Sequence, residues 1–177
     1  VGGGSIVRVD PGGSLRVGPQ SAGAKPGPAC YRQGGTDATV TDANVVLGYI
    51  NPTSIAGGTV SVNSEAAKQA LNSSAAEHLE LETNDAAYGV YAVANTTMIR
   101  AIKSVTTYRG RDPREFTLMA FGGSGPLHAA EMARSLGIRQ IIVPASPGVF
   151  SALGLLEALP EYGFSRTMIT DPMREGA

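Results

Sequence analysis

Cysteine is nearly missing from this sequence. The 177 residues hold one, Cys30, so no disulfide can form within the chain, and a reducing cytoplasm is the expected compartment. One cysteine and two histidines cannot by themselves close a structural zinc site. Tryptophan is absent, and six tyrosines with four phenylalanines make an aromatic-poor chain, which argues against a base-stacking surface. An excess of either charge is missing too. Fourteen Lys+Arg against fifteen Asp+Glu give a net charge of −1, so nothing draws the chain to nucleic acid or an anionic membrane. No apolar run approaches the roughly 18 residues of a spanning helix. No charged segment followed by an apolar one opens the chain, so no secretory leader is expected.

Glycine is what the chain has in excess: 23 of 177 residues, against an ordinary share of ~7%. Ten glycines and four prolines fall within residues 1–35. Gly2-Gly3-Gly4-Ser5 reads as a turn entering a strand at Ile6-Val7-Arg8-Val9. Asp10-Pro11-Gly12-Gly13 is a hairpin turn, and Ser14-Leu15-Arg16-Val17 the return strand. A glycine triplet with no strand before it suggests a piece of a longer protein. Residues 18–40 read as loop, and a loop that long is functional or packed under something. Asp42 to Tyr49 reads as a short helix capped by Thr41 or Asp42 and closed near Gly48.

Helices dominate the middle. Asn63 or Ser64 can cap a helix over 64–81, with Ala67, Leu71, Ala75 and Leu79 at i+4 steps. Asn84 can cap another to about Tyr108, whose stripe is Ala87, Val90, Tyr91, Ala94, Met98, Ala101, Ile102 and Val105. Arg109-Gly110 and Asp112-Pro113 end it. The last third alternates: a strand at Phe116–Ala120, a Gly122-Gly123-Ser124-Gly125 turn, and a helix from Pro126 to Leu136 stopped by Gly137. A strand at Gln140–Val143 follows, then a turn and a helix over Val149–Leu156. That order predicts a mixed α/β fold with a parallel strand pair.

Gly122–Gly125, between a strand and a helix, is the leading chemical feature. Glycines let a ligand approach the backbone, and the helix N-terminus beyond favours phosphate or another anion. The same glycines also suit a tight turn and nothing more. Gly123-Ser124-Gly125-Pro126-Leu127-His128 lacks the third glycine of a dinucleotide fingerprint, and no acid follows the second strand, so NAD is not expected. No Gly-Lys-Ser/Thr loop is present. His128, near the start of that helix, is a candidate acid, base or donor, or a polar residue of the first turn. Thr39-Val40-Thr41-Asp42-Ala43-Asn44 can cap a helix or position a substrate or metal, which makes Asp42 the second catalytic candidate. Cys30 reads as packing and His78 as surface.

Several blocks together resemble the hydantoinase A/5-oxoprolinase family. They are Gly2–Ile6, Val17–Ala24, Pro26-Gly27-Pro28-Ala29-Cys30-Tyr31, Thr39–Asn44, Phe121–Ala129 and Val143–Gly154, in order across nearly all of residues 1–167. The resemblance implies the second lobe of an actin-like (sugar kinase/Hsp70-type) ATPase fold with a helical insert. It divides the chain into glycine-rich strands and loops (1–50), a helical subdomain (62–110) and a β-α-β-α half of a nucleotide site (115–158). It implies ATP and Mg²⁺ as cofactors, with Gly122, Gly123, Ser124 and Gly125 on the nucleotide. The implied activity is phosphorylation of a cyclic amide carbonyl, in hydantoin or 5-oxoproline, before ring opening. A ketone carboxylase subunit and a non-catalytic actin-like scaffold are the alternatives. A hydantoinase B-type partner and an oligomer follow from the same resemblance. Two departures stand out: the Asp-x-Gly-Gly-Thr phosphate loops are absent, and Glu157–Gly163 diverges from the family's acidic, Arg-containing continuation.

Overall fold

A computed structural model describes residues 2–167. The chain opens with an antiparallel hairpin, β1 (Ser5–Val9) and β2 (Leu15–Ser21), paired Val7 to Val17 and Val9 to Leu15. Asp10 makes the turn: its Oδ1 accepts from the N–H groups of Gly12 and Ser14 at 3.0 and 2.9 Å. The return strand runs four residues further than Val17, into the stretch expected as loop. The ladder shifts between Ser5 and Val7 and then pairs Ser5 with Ser21. Such an irregularity lets an edge strand absorb a Gly-Pro step.

The rest of the expected loop folds back against α1 (Val40–Val46), and Ala29, Cys30 and Ala38 are buried. The helix is capped by Thr39, not by Thr41 or Asp42. Asp42 occupies the third helical position and completes a capping box. Its N–H donates to Thr39 Oγ1 at 3.4 Å, and its Oδ2 accepts from the Thr39 N–H at 2.8 Å. A short hairpin that the sequence does not announce follows, β3 (Ser54–Ile55) with β4 (Val60–Ser61).

The helix expected over 64–81 is α2 (Ser64–Leu71), a wider turn at Asn72–Ala76 and α3 (Glu77–Leu79). Asn63 caps it, its Oδ1 accepting from Ala66 N–H at 2.8 Å. The long helix α4 (Thr83–Val105) starts after Glu82 rather than Asn84. Its stripe is buried at Ala87, Val90, Tyr91 and Ala94, against α1, α2 and β2. Beyond that point Met98 and Ile102 are part-buried against the core, but Ala101 is exposed and Val105 is 50% exposed. Ile99 and Ile102 turn instead toward Ala133, Leu136 and Ile138 of the last third. The main core is built largely of alanines, with Val7, Val40, Leu71 and Val90. Small side chains let these helices lie close together, and close packing recovers the dispersion energy lost in bulk.

The last third follows the expected order in shortened form. β5 (Leu118–Met119) and β6 (Ile141–Ile142) pair in parallel, joined through α5 (Gly125–Leu136). Gly137 ends α5 at φ 69°. A tight turn at Pro147–Val149 leads into α6 (Phe150–Glu157), whose Leu155 and Leu156 are 77% and 83% exposed. No helix among the described residues is long and apolar enough to cross a membrane.

Candidate functional site

The loop between β5 and α5 is shaped by Gly122, whose φ of 86° favours a residue without Cβ. Its N–H donates to Pro147 O at 2.7 Å. Phe121 packs on Phe150 with ring centroids 5.4 Å apart. The turn before α6 therefore braces the glycine loop from behind. Ser124 is the cap position of α5, but its side chain makes no capping hydrogen bond. Pro126 has no N–H and the Leu127 N–H donates to Ser124 O at 3.1 Å, so in the first turn only the Gly125 N–H is left to face outward.

This loop forms one side of a cavity of about 390 Å³. The other sides come from distant stretches: Gly2 and Gly3, Val40 of α1, and Met98 of α4. Gly3 is wedged in place. Its carbonyl accepts from Thr41 N–H at 2.8 Å, and a Cβ there would lie 2.7 Å from Thr41 Oγ1 and 2.9 Å from Ser124 Oγ. By contrast, a Cβ on Gly123 would meet nothing within 4 Å. The space in front of Gly123 is open. A wider groove of about 690 Å³, between the first hairpin and α4, includes Arg8, Arg16 and Arg100 and none of the sequence candidates.

Of the candidates, the structure brings His128 together with Gly122, Gly123, Ser124 and Gly125 in that one cavity. His128 is 2% exposed. Its Nδ1 lies 2.8 Å from Asn95 Oδ1, its Nε2 3.4 Å from Asn44 Nδ2, and its ring stacks on Tyr91 at 5.0 Å. Burial pushes its pKa below the ordinary value of 6.5. Asp42 lies outside the lining. Both carboxylate oxygens are engaged, Oδ1 by Cys30 N–H at 2.8 Å, Oδ2 by Thr39 N–H at 2.8 Å and Thr39 Oγ1 at 2.7 Å. Cys30 is fully buried, and burial with the Asp42 charge pushes its thiol pKa far up, so it packs and does not react. His78 is exposed.

Sequence reasoning missed Gly2, Gly3, Val40, Met98 and Asn95 as parts of this site. One signal was available for Asn95: it sits four residues after Tyr91 and one after Ala94, inside the apolar stripe. A buried amide there needs a partner.

Among known proteins, the hydantoinase/oxoprolinase family model matches residues 1–162. The gamma subunit of acetophenone carboxylase from Aromatoleum aromaticum is 44% identical over 171 residues, 95% of this chain and 23% of that protein. The nucleotide-free structure of acetone carboxylase superposes with a TM-score of 0.80 at 34% identity. The crystal structure of ATP-dependent caprolactamase from Pseudomonas jessenii gives 0.79 at 41%. Each structural match covers 86% of this chain and 22% of the other. The chain thus spans under a quarter of the length of these relatives.

Proposed function

Because the chain belongs to the hydantoinase/oxoprolinase family, we propose that it forms one wall of the ATP site in an enzyme that opens cyclic amides. The γ-phosphoryl group passes to the amide carbonyl oxygen of hydantoin or 5-oxoproline. Water then adds to the activated carbon, the ring C–N bond breaks as its nitrogen takes up a proton, and a second water releases phosphate from the acyl phosphate that remains. The supporting observation is the cavity in which the uncapped start of α5 and Gly122–Gly125 face Gly2 and Gly3. Backbone N–H groups at such a terminus suit phosphate oxygens, and the open space at Gly123 suits their close approach. The part played by this chain is positioning, the main contribution in phosphoryl transfer.

The lining includes no carboxylate, and the described residues hold no group of three His, Cys, Asp or Glu that could bind a metal. These residues fit the phosphates and do not fit a magnesium ion, so no step is assigned to Mg²⁺. The actin-like lobe, the B-type partner, an oligomer and a cytoplasmic setting belong to the same proposal. A second reading, a subunit of an ATP-dependent ketone carboxylase, is favoured by the carboxylase relatives.

The test is ATP hydrolysis by the full-length polypeptide, with hydantoin, with 5-oxoproline, and with acetone or acetophenone plus bicarbonate. Stimulation by a cyclic amide alone is expected, with no turnover by the 177 residues in isolation. Stimulation only by ketone with bicarbonate replaces the first reading with the second. ATP binding without hydrolysis under any condition leaves the scaffold.

A further inference from the structure

The imidazole of His128 is held between two amides, Asn95 on α4 and Asn44 on α1, and each amide can donate or accept. Two neutral arrangements satisfy the ring. In one, Nδ1–H donates to Asn95 Oδ1 and Nε2 accepts from Asn44 Nδ2. In the other, both amides are turned over and Nε2 carries the proton. The surroundings of Asn95 decide between them. Asn95 also lines a small cavity of about 110 Å³ with Tyr91, Thr96, Glu131 and Ser135, the Thr96 hydroxyl donating to Ala92 O at 2.9 Å. The Tyr91 hydroxyl spends its proton on Leu127 O at 3.2 Å, so it offers only lone pairs there, and Glu131 offers a carboxylate. A carbonyl oxygen turned that way would find a donor only in the Ser135 hydroxyl, against the acceptors of Tyr91 and Glu131. An amide NH₂ turned that way has the Tyr91 and Glu131 oxygens on its side, though neither lies within hydrogen-bond distance.

We infer that Asn95 is a positioning residue that holds His128 in the Nδ1–H form, leaving Nε2 as a standing hydrogen-bond acceptor beside the cavity. Donation then runs one way, from Asn44 through His128 to Asn95 and on toward the Glu131 side. The Asn44 contact, at 3.4 Å, is long, so Nε2 accepts only a weak hydrogen bond within the protein. Two atoms of the chain have no protein partner, Asn44 Oδ1 at one end and Asn95 Nδ2 at the other.

The groups facing the ring also set its charge. Tyr91 stacks on it from α4, with Tyr49 edge-on behind at 5.2 Å. Asp42, two residues before Asn44, has its oxygens committed to Thr39 and Cys30. Glu131 lies across Asn95, on the far cavity. The partner at Nδ1 is an amide, which accepts a proton's hydrogen bond but adds no charge to hold an imidazolium. His128 therefore works as a neutral acceptor and not as a proton store. That it serves a nucleotide site rests on the proposed function; its tautomer does not.

The test is long-range ¹H–¹⁵N NMR of ¹⁵N-histidine in the full chain. The sequence has two histidines, and exposed His78 is the internal control. Wild-type His128 is expected to show a protonated Nδ1 and bare Nε2 throughout pH 6–8. Asn95→Asp keeps the acceptor and adds charge, so it raises the proton affinity of His128 at least tenfold. Asn95→Leu moves the ring toward Nε2–H. A wild-type ring already in the Nε2–H form overturns the inference without any variant. So does a His128 signature that both Asn95 variants leave unchanged. ATP titrated into the full-length polypeptide, labelled in the same way, separates the two claims: no change at His128 counts against the nucleotide site and leaves the tautomer result standing.

Discussion

Asp42→Ala separates a structural carboxylate from a catalytic one. Asp42 is wholly buried and accepts from the Cys30 N–H, the Thr39 N–H and the Thr39 hydroxyl at 2.7–2.8 Å. Alanine leaves two buried amide donors with no acceptor, at about 1–3 kcal/mol each. The Thr39 amide is one of these two, so the lost half of the capping box is already counted. The sum, about 2–6 kcal/mol, is a large share of the ~5–15 kcal/mol that holds a domain together. In a chain of this size it lowers Tm by roughly 5–20 °C. Asp42→Asn keeps one oxygen but turns an NH₂ toward a donor, so it falls between wild type and alanine. Far-ultraviolet circular dichroism follows the melt. Labelling of Cys30, the only thiol and fully buried, reports local opening, and alanine should raise its rate at least tenfold. An Asp42→Ala protein that melts within 2 °C of wild type, resists labelling and has lost only turnover refutes this account. It would make Asp42 the catalytic acid or base after all.

Three further outcomes follow from the site. Gly123→Val projects into open space, so thermal stability should stay within about 0.5 kcal/mol while calorimetric ATP affinity of the full-length polypeptide falls at least tenfold. Gly122→Ala should instead cost about 1–2 kcal/mol of stability in urea unfolding, because φ there is 86°. Burial lowers the pKa of His128 below 6.5, so the unfolded chain binds its proton more readily than the folded one. The His128 contribution is then fully present above pH 6.5 and is lost as pH falls from there through the lowered folded value. A His128→Gln protein should show a flatter loss of stability across that window.

Much of the fold was legible because turn chemistry and period agree. The Asp10–Gly13 turn, the Asn63 cap, the Gly137 stop and the α4 stripe as far as Ala94 each carry a local signal strong enough to survive tertiary context. What was hidden has physical reasons. Gly18-Pro19 reads as a break, yet an edge strand passes through it with a shifted register. Thr39, Thr41 and Asp42 all can cap α1, and the choice falls to the pair whose three-residue spacing closes a box. The wider turn at Asn72–Ala76 leaves the i+4 stripe intact at Ala67, Leu71 and Ala75, so periodicity cannot reveal it. Val105 has the right spacing but projects past the elements that bury its predecessors.

The site was legible only where it is contiguous. Gly122–Gly125 and His128 fall on one turn and one helix start, whereas Gly3, Val40 and Met98 reach the same cavity from three other elements. Asp42 drew attention as a carboxylate in a polar run, but an acid that saturates three donors has little left for a ligand. Asn95 drew none, because an amide amid alanines looks like an interruption of the stripe. Burial changes that judgement. A side chain 3% exposed must find a partner, and this one finds the histidine that faces the glycine loop. The lining as a whole includes no charged side chain. Its means of holding an anion are backbone N–H groups and the open end of α5, which bind a phosphate without neutralising it. Charge stabilisation of a transferring phosphoryl group needs cations, so turnover at this cavity requires them from residues or ions beyond its lining.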